Sequence, residues 1–178
     1  MASYAWELAR DLRDLRDAAA ALQQAEHARK LWADYWQARP DGYTGGMQLA
    51  QAWVEVGTAQ QELGRHDEAW KAFQQAVGVQ RRVLDHLPDV QYHRIYLDRC
   101  YALLLECGIR RGDWSGAAAL REREKLWPRD SGKLRKTARD YATLGGTRPS
   151  AHSSGTTAPG TPGRACSPPR PSAASQRL

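Results

Sequence analysis

Asparagine is absent from the 178-residue chain. Protein kinases need an asparagine for one metal ion and a glycine-rich loop over the phosphates, and the chain offers neither. Its pair His93-Arg94 is followed by Ile95 where a catalytic aspartate would stand. Phenylalanine occurs once, at Phe73. Cysteine occurs three times, at Cys100, Cys107 and Cys166, an odd number without paired spacing. That excludes a disulfide-stapled secreted domain and makes a reducing cytoplasm the expected setting. No apolar run approaches the roughly 18 residues of a membrane span. The start "MASYAWELARDLRDLRD" is charged from its seventh residue and lacks the apolar core of a signal peptide.

A second absence divides the chain. Residues 147–178 contain no aromatic side chain and no carboxylate, whereas residues 1–145 hold all seven Trp and all seven Tyr. A segment of Pro, Gly, Ser, Thr and Ala cannot bury enough apolar area to offset its ordering entropy, so 146–178 reads as a disordered tail. Its four Arg account for four of the six net positive charges, leaving +2 on residues 1–145. The basic pI is thus a property of the tail, and nucleic acid is not an expected partner of the body. Two Pro-x-x-Pro stretches, Pro159–Pro162 and Pro168–Pro171, are common in so Pro-rich a sequence.

What is present is periodic. Ala21, Ala69 and Ala117 stand 48 apart, as do Pro40 and Pro88, Leu15 and Leu63, and Leu8, Val56 and Leu104. "GRHDEA" (64–69) matches "GDWSGA" (112–117) in its first glycine and last alanine. Within a unit, Leu49, Trp53, Val56 and Leu63, then Ala69, Phe73, Ala76, Val83 and Leu87, follow helical spacing. Gly64 is placed to end one helix in the left-handed conformation, Asp67 to cap the next, and Pro88 to close the unit. Ala69 and Ala76 leave room for a close helix crossing that Phe73 fills. These features predict an all-α array of antiparallel helix hairpins, with units at about 1–40, 49–88 and 97–128. A basic last helix at 130–145, started by Asp130 or Ser131, shields the final hairpin.

Trp53-x₂-Val56-Gly57, then Gly64, Ala69-x₃-Phe73 and Ala76, resembles the tetratricopeptide repeat. Tyr101, Leu105, Gly112 and Ala117 fit in the third unit, with Arg121 in place of the aromatic. The usual 34-residue repeat becomes 48 by two insertions of seven, each about two helical turns. Such elongated repeats resemble those of kinesin light chains. "HLPDVQYHRIYLDRCYALLL" and "KLRKTARDYATLG" are similar to the C-terminal arrays of planctomycete serine/threonine kinases. The resemblance covers roughly residues 1–145. It implies a right-handed superhelix that binds a protein or peptide in a concave groove, without catalysis and without a cofactor or metal. Carried over by position, the groove residues are Trp6, Arg10 and Arg13; Gln51, Val54, Thr58 and Gln61; and Arg99, Ala102, Glu106 and Arg110. Arg10, Arg13, Arg99 and Arg110 together would favour an acidic peptide. The alternative is nucleic-acid binding through the last helix, with Lys133, Arg135, Lys136 and Arg139, and the tail.

Other groups read as structure. His93, Cys100 and Cys107 fall seven apart on one helical face, too far for one metal ion, and fit a packing face. Glu122 and Glu124 alternate with Arg121, Arg123 and Lys125, the pattern of a solvated charged face. Trp53, Trp70 and Trp127 sit at core spacing. Trp32, Tyr35 and Trp36 crowd one helix, so part of that cluster is expected at the surface.

Overall fold

The computed structural model describes residues 2–15, 17–39, 43–112 and 116–146. The expected tail, Pro40 and the tip of "GDWSGA" lie outside these residues. Seven helices follow one another: α1 (Ala2–Asp14), α2 (Ala18–Ala38), α3 (Tyr43–Glu62), α4 (His66–His86), α5 (Gln91–Arg111), α6 (Gly116–Leu126) and α7 (Ser131–Gly146). No strand occurs among the described residues. Each helix packs antiparallel to the next, and α1 also touches α3.

Glycine and aspartate set several boundaries. Gly64 (φ +74°) and Gly112 (φ +72°) both take the left-handed conformation at the ends of α3 and α5. The Asp17 side chain accepts from the Ala20 amide at 3.0 Å, and Asp130 Oδ1 accepts from the amides of Gly132 and Lys133. Asp67 does not cap α4, contrary to its sequence expectation. Arg65 holds the cap position without a side-chain bond, and Asp67, one residue into the helix, instead accepts from Arg111 Nε at 2.9 Å. α3 and α5 begin six residues earlier than the units at 49 and 97, at Tyr43 and Gln91. The starts of α2 and α4 (Ala18, His66), their ends (Ala38, His86) and the starts of α3 and α5 are each 48 residues apart. α6 leaves this register, stopping before Trp127 because Pro128 disfavours helical backbone in the residue that precedes it.

Packing rests on small residues. Gly45, Gly46, Ala50, Ala52, Gly57 and Ala59 are all buried along α3. A Cβ on Gly57 would fall 2.6–3.0 Å from three carbons of the Phe73 ring, which is fully buried between Ala69 and Ala76. Gly45 and Gly46 receive Tyr35 and Trp36 in the same way. Trp32 and Trp36 are therefore half-buried, and only Tyr35 of that cluster is exposed, at 39%. His93, Cys100 and Cys107 are buried on α5, and burial pushes the Cys100 thiol up to about 12.

Arg121, Glu124 and Lys125 are exposed as the charged-face pattern predicts, but Arg123 is not. Arg123 is 1% exposed. Its guanidinium forks onto Asp98 of α5 at 2.6 and 3.4 Å and also donates to Asp140 of α7. Trp127 Nε1 donates to Asp98 at 3.3 Å, and Lys133 Nζ lies 3.6 Å from it. Burial pushes the Asp98 carboxyl up, but the bonds and charge of Arg123, with Lys133 and Trp127, outweigh it and hold the group below its ordinary value. Alternating charges thus hid an inward arginine. It joins α5, α6 and α7, and α7 is held by this cluster, with Thr137 buried beside it.

Two predictions follow from packing and charge. Gly57→Ala should destabilise the fold by about 1–2 kcal/mol in urea melts, because overpacking exceeds the roughly 1 kcal/mol of helix propensity gained. Adding Phe73→Leu should relieve part of that loss. Asp98→Asn should cost about 3–5 kcal/mol by leaving Arg123 under-paired. A folded carboxyl held low stabilises fully above its unfolded value, near 3.8, and that stability fades as pH falls through the folded value. The melting temperature of Asp98→Asn should therefore fall less steeply below pH 4 than that of the wild type.

Candidate functional site

α3 and α5 are each packed on α4 but not substantially on one another, so the seam between their parallel axes stays open. α3 presents Gln51, Val54, Glu55, Thr58, Gln61 and Glu62 to it; α5 presents Tyr92, Ile95, Arg99, Leu103, Glu106 and Arg110. Steps of three and four keep each set on one helical face. Two hollows lie one helical turn apart along this seam. The first, about 320 Å³, takes Arg10 and Arg13 from α1, Gln51, Val54 and Glu55 from α3, and Tyr92, Ile95, Tyr96 and Arg99 from α5. The second, about 210 Å³, is formed by Thr58, Gln61, Glu62, Leu103, Glu106 and Arg110.

The structure thus places Arg10, Arg13, Gln51, Val54 and Arg99 in one hollow and Thr58, Gln61, Glu106 and Arg110 in the next. Ala102 lines neither. Trp6 belongs to α1, and its side chain lies outside the described residues. Val54 is 3% exposed and forms floor rather than rim. The Thr58 hydroxyl donates to the Val54 carbonyl of its own helix at 2.8 Å. Sequence reasoning missed Glu55, Glu62, Tyr92, Ile95, Tyr96 and Leu103. Tyr92 and Ile95 are 50% and 45% exposed, and Tyr92 stacks on the buried Tyr96 at 6.4 Å. Their i, i+3, i+7 spacing with Arg99 was the available signal.

The four arginines expected to favour an acidic peptide differ in their pairing. Arg13 donates to Glu55 and lies 3.6 Å from Glu62, tying α1 to α3. Arg110 pairs with Glu106 at 2.9 Å within α5. Arg10 is paired more loosely, with Asp11 at 3.7 Å, both at least half exposed. The exposed Arg99 makes no salt bridge among the described residues. Spacing alone could not foresee this, because Glu55 and Glu62 lie on a different helix from Arg13. Burial raises the Glu62 carboxyl above its ordinary value, opposed by Arg13 and aided by Glu55 and Asp14. Burial likewise pushes the Tyr96 phenol up, so its ring enters the hollow as a neutral wall. Chemically, the seam offers exposed apolar surface, guanidinium donors and carboxylate acceptors, the ingredients of a binding surface.

A scan against protein-family models returns no match, and neither does a search of curated proteins.

Arg13→Gln should loosen α1 while leaving the rest of the stack intact. Losing a charge-assisted pair of this burial costs roughly 1–2 kcal/mol. Amide exchange in α1 should accelerate about five- to thirtyfold, with α4 and α5 unchanged by hydrogen-exchange mass spectrometry.

Proposed function

We propose that the chain is an elongated tetratricopeptide-like module that holds a protein or peptide partner along the α3–α5 seam, without catalysis. Support for the repeat comes from the 48-residue register of helix boundaries and of the two left-handed glycines, Gly64 and Gly112. Contacts confined mostly to sequence neighbours are the packing mode of solenoids. The observation that carries the functional reading is the open seam itself. Apolar side chains as large as Tyr92 and Ile95 stay half exposed there, beside the α1 arginines and next to a buried Tyr96. Single exposed apolar residues are ordinary, but several lining one hollow mark an interaction site. Among the described residues no helix is long and apolar enough to cross a membrane, and the proposed setting is the cytoplasm. As an accessory region, such a module would bring substrates or regulators to a serine/threonine kinase.

One observation favours nucleic acid as a second reading. The Asp140 carboxylate of α7 is turned to Arg123, while Arg135, Lys136 and Arg139 stay exposed. That reading predicts binding that weakens steeply with salt.

The test is peptide display: a random library panned on the full chain. Enriched peptides should lose at least tenfold in affinity to Tyr92→Ala and Ile95→Glu, and should bind Gln75→Glu, altered on the exposed face of α4, as well as the wild type. Binding indifferent to the two seam variants, or no enrichment at all, overturns the proposal.

A further inference from the structure

The first and last helices turn faces of opposite charge to solvent. α1 packs on α2 and α3 through Ala9, which is buried with Ala25, Val56 and Ala72. The side away from Ala9 carries Leu8, Asp11 and Leu15 at i, i+3 and i+7, with Glu7 and Asp14 beside them. Leu8 and Leu15 are 46% and 78% exposed. Asp11 lies 3.7 Å from Arg10, whereas Glu7 and Asp14 make no salt bridge among the described residues. Arg10 and Arg13 turn to the first hollow instead.

At the other end, α7 packs on α6 and turns Thr137 and Asp140 inward. Asp140 is the one carboxylate of α7, and Arg123 engages it. The outward side carries Arg135, Ala138, Arg139 and Ala142 at steps of three and four, with Lys136 adjoining, and all five are exposed. Arg135 donates to Ser131 of its own helix, and Lys136 and Arg139 make no salt bridge among the described residues.

From these two faces we infer that the chain binds a second copy of itself head to tail, α1 of one copy against α7 of the next. Charge decides the pairing. α1 on α1 would set Glu7, Asp11 and Asp14 against their own kind, and α7 on α7 would do the same with Arg135, Lys136 and Arg139. α1 on α7 joins opposite signs. Shape agrees with charge, because Ala138 and Ala142 let a second helix approach closely while Leu8 and Leu15 supply the bulk that fills the contact. A contact between two different patches leaves one patch open on each copy, so it can extend to a third. With one helix from each side it stands at the small end of specific interfaces, so the association is weak and sensitive to salt. It uses the ends of the stack, goes beyond the peptide-binding reading and does not rest on it.

Sedimentation velocity of the full chain from about 5 to 500 μM tests this. At low salt the average mass should climb above the 19.9 kDa of one chain as concentration rises, and about 0.5 M salt should reverse the climb. Glu7→Lys/Asp14→Lys and Arg135→Glu/Arg139→Glu, each helical by circular dichroism, should each associate at least tenfold more weakly. Mixed in equal amounts the two variants should associate again, because each supplies the charge that the other has reversed. Misfolding of either could not produce that recovery. Tyr92→Ala/Ile95→Glu, altered on the seam, should associate like the wild type. A wild type that stays monomeric throughout, undiminished association of either charge variant alone, or a mixture that fails to recover overturns the inference. So does loss of association in the seam variant, which would move the self-contact to the seam.

Discussion

The Phe73 ring against the backbone of Gly57 is the contact on which the central part of the stack depends. With no Cβ at Gly57, α3 approaches α4 closely enough for the ring to be fully enclosed. Gly45 and Gly46 do the same against α2, and Ala50, Ala52 and Ala59 extend the small-residue surface between them. Such proximity increases dispersion contact per residue. It also leaves α3 little volume of its own, so it is covered by α2 on one side and α4 on the other. α3 is consequently a buried central helix whose remaining surface is the strip facing α5.

That strip stays open for a geometric reason. α1 touches α3 directly, but α3 and α5 each pack on α4, which sets the distance between them. Phe73, Val79 and Val83 on α4 occupy the interior of that sandwich, while the outer edges of α3 and α5 are left unfilled. The seam is thus a by-product of the packing order. Its exposed rim can vary with little cost to the core, which is why such a face can carry specificity. The Val54 and Tyr96 floor is shared with the core; the Arg10, Arg99, Glu106 and Arg110 rim is exposed.

Much of this was legible in the sequence, and the parts that were not share a cause. Gly64, Ala69, Phe73 and Ala76 act locally, through backbone conformation or within one helix crossing, so spacing alone located them. The grouping of Arg10, Gln51, Val54 and Arg99 followed from placing units side by side. By contrast, the fate of a charge depends on partners from other helices. Arg123 finds Asp98 and Asp140 across 25 and 17 residues of sequence, and Arg13 finds Glu55 across 42. Nothing in the alternating pattern of α6 distinguishes Arg123 from Arg121, which stays exposed. Asp67 shows the same competition. A guanidinium on the neighbouring α5 claims the carboxylate that helix chemistry would have used as a cap.

The two ends of the stack are consequently fastened by different physics. α1 reaches α3 through a partly exposed pair, Arg13 with Glu55, and buries Ala9 in a small cluster with Ala25, Val56 and Ala72. Water and salt reach such a pair, so it contributes modestly. α7 is fastened by a guanidinium almost wholly removed from water, where attraction is weakly screened and breaking one partner is costly. The array should then open first at α1. Because Arg10 and Arg13 belong to that helix, the α1 side of the first hollow is also its most yielding part.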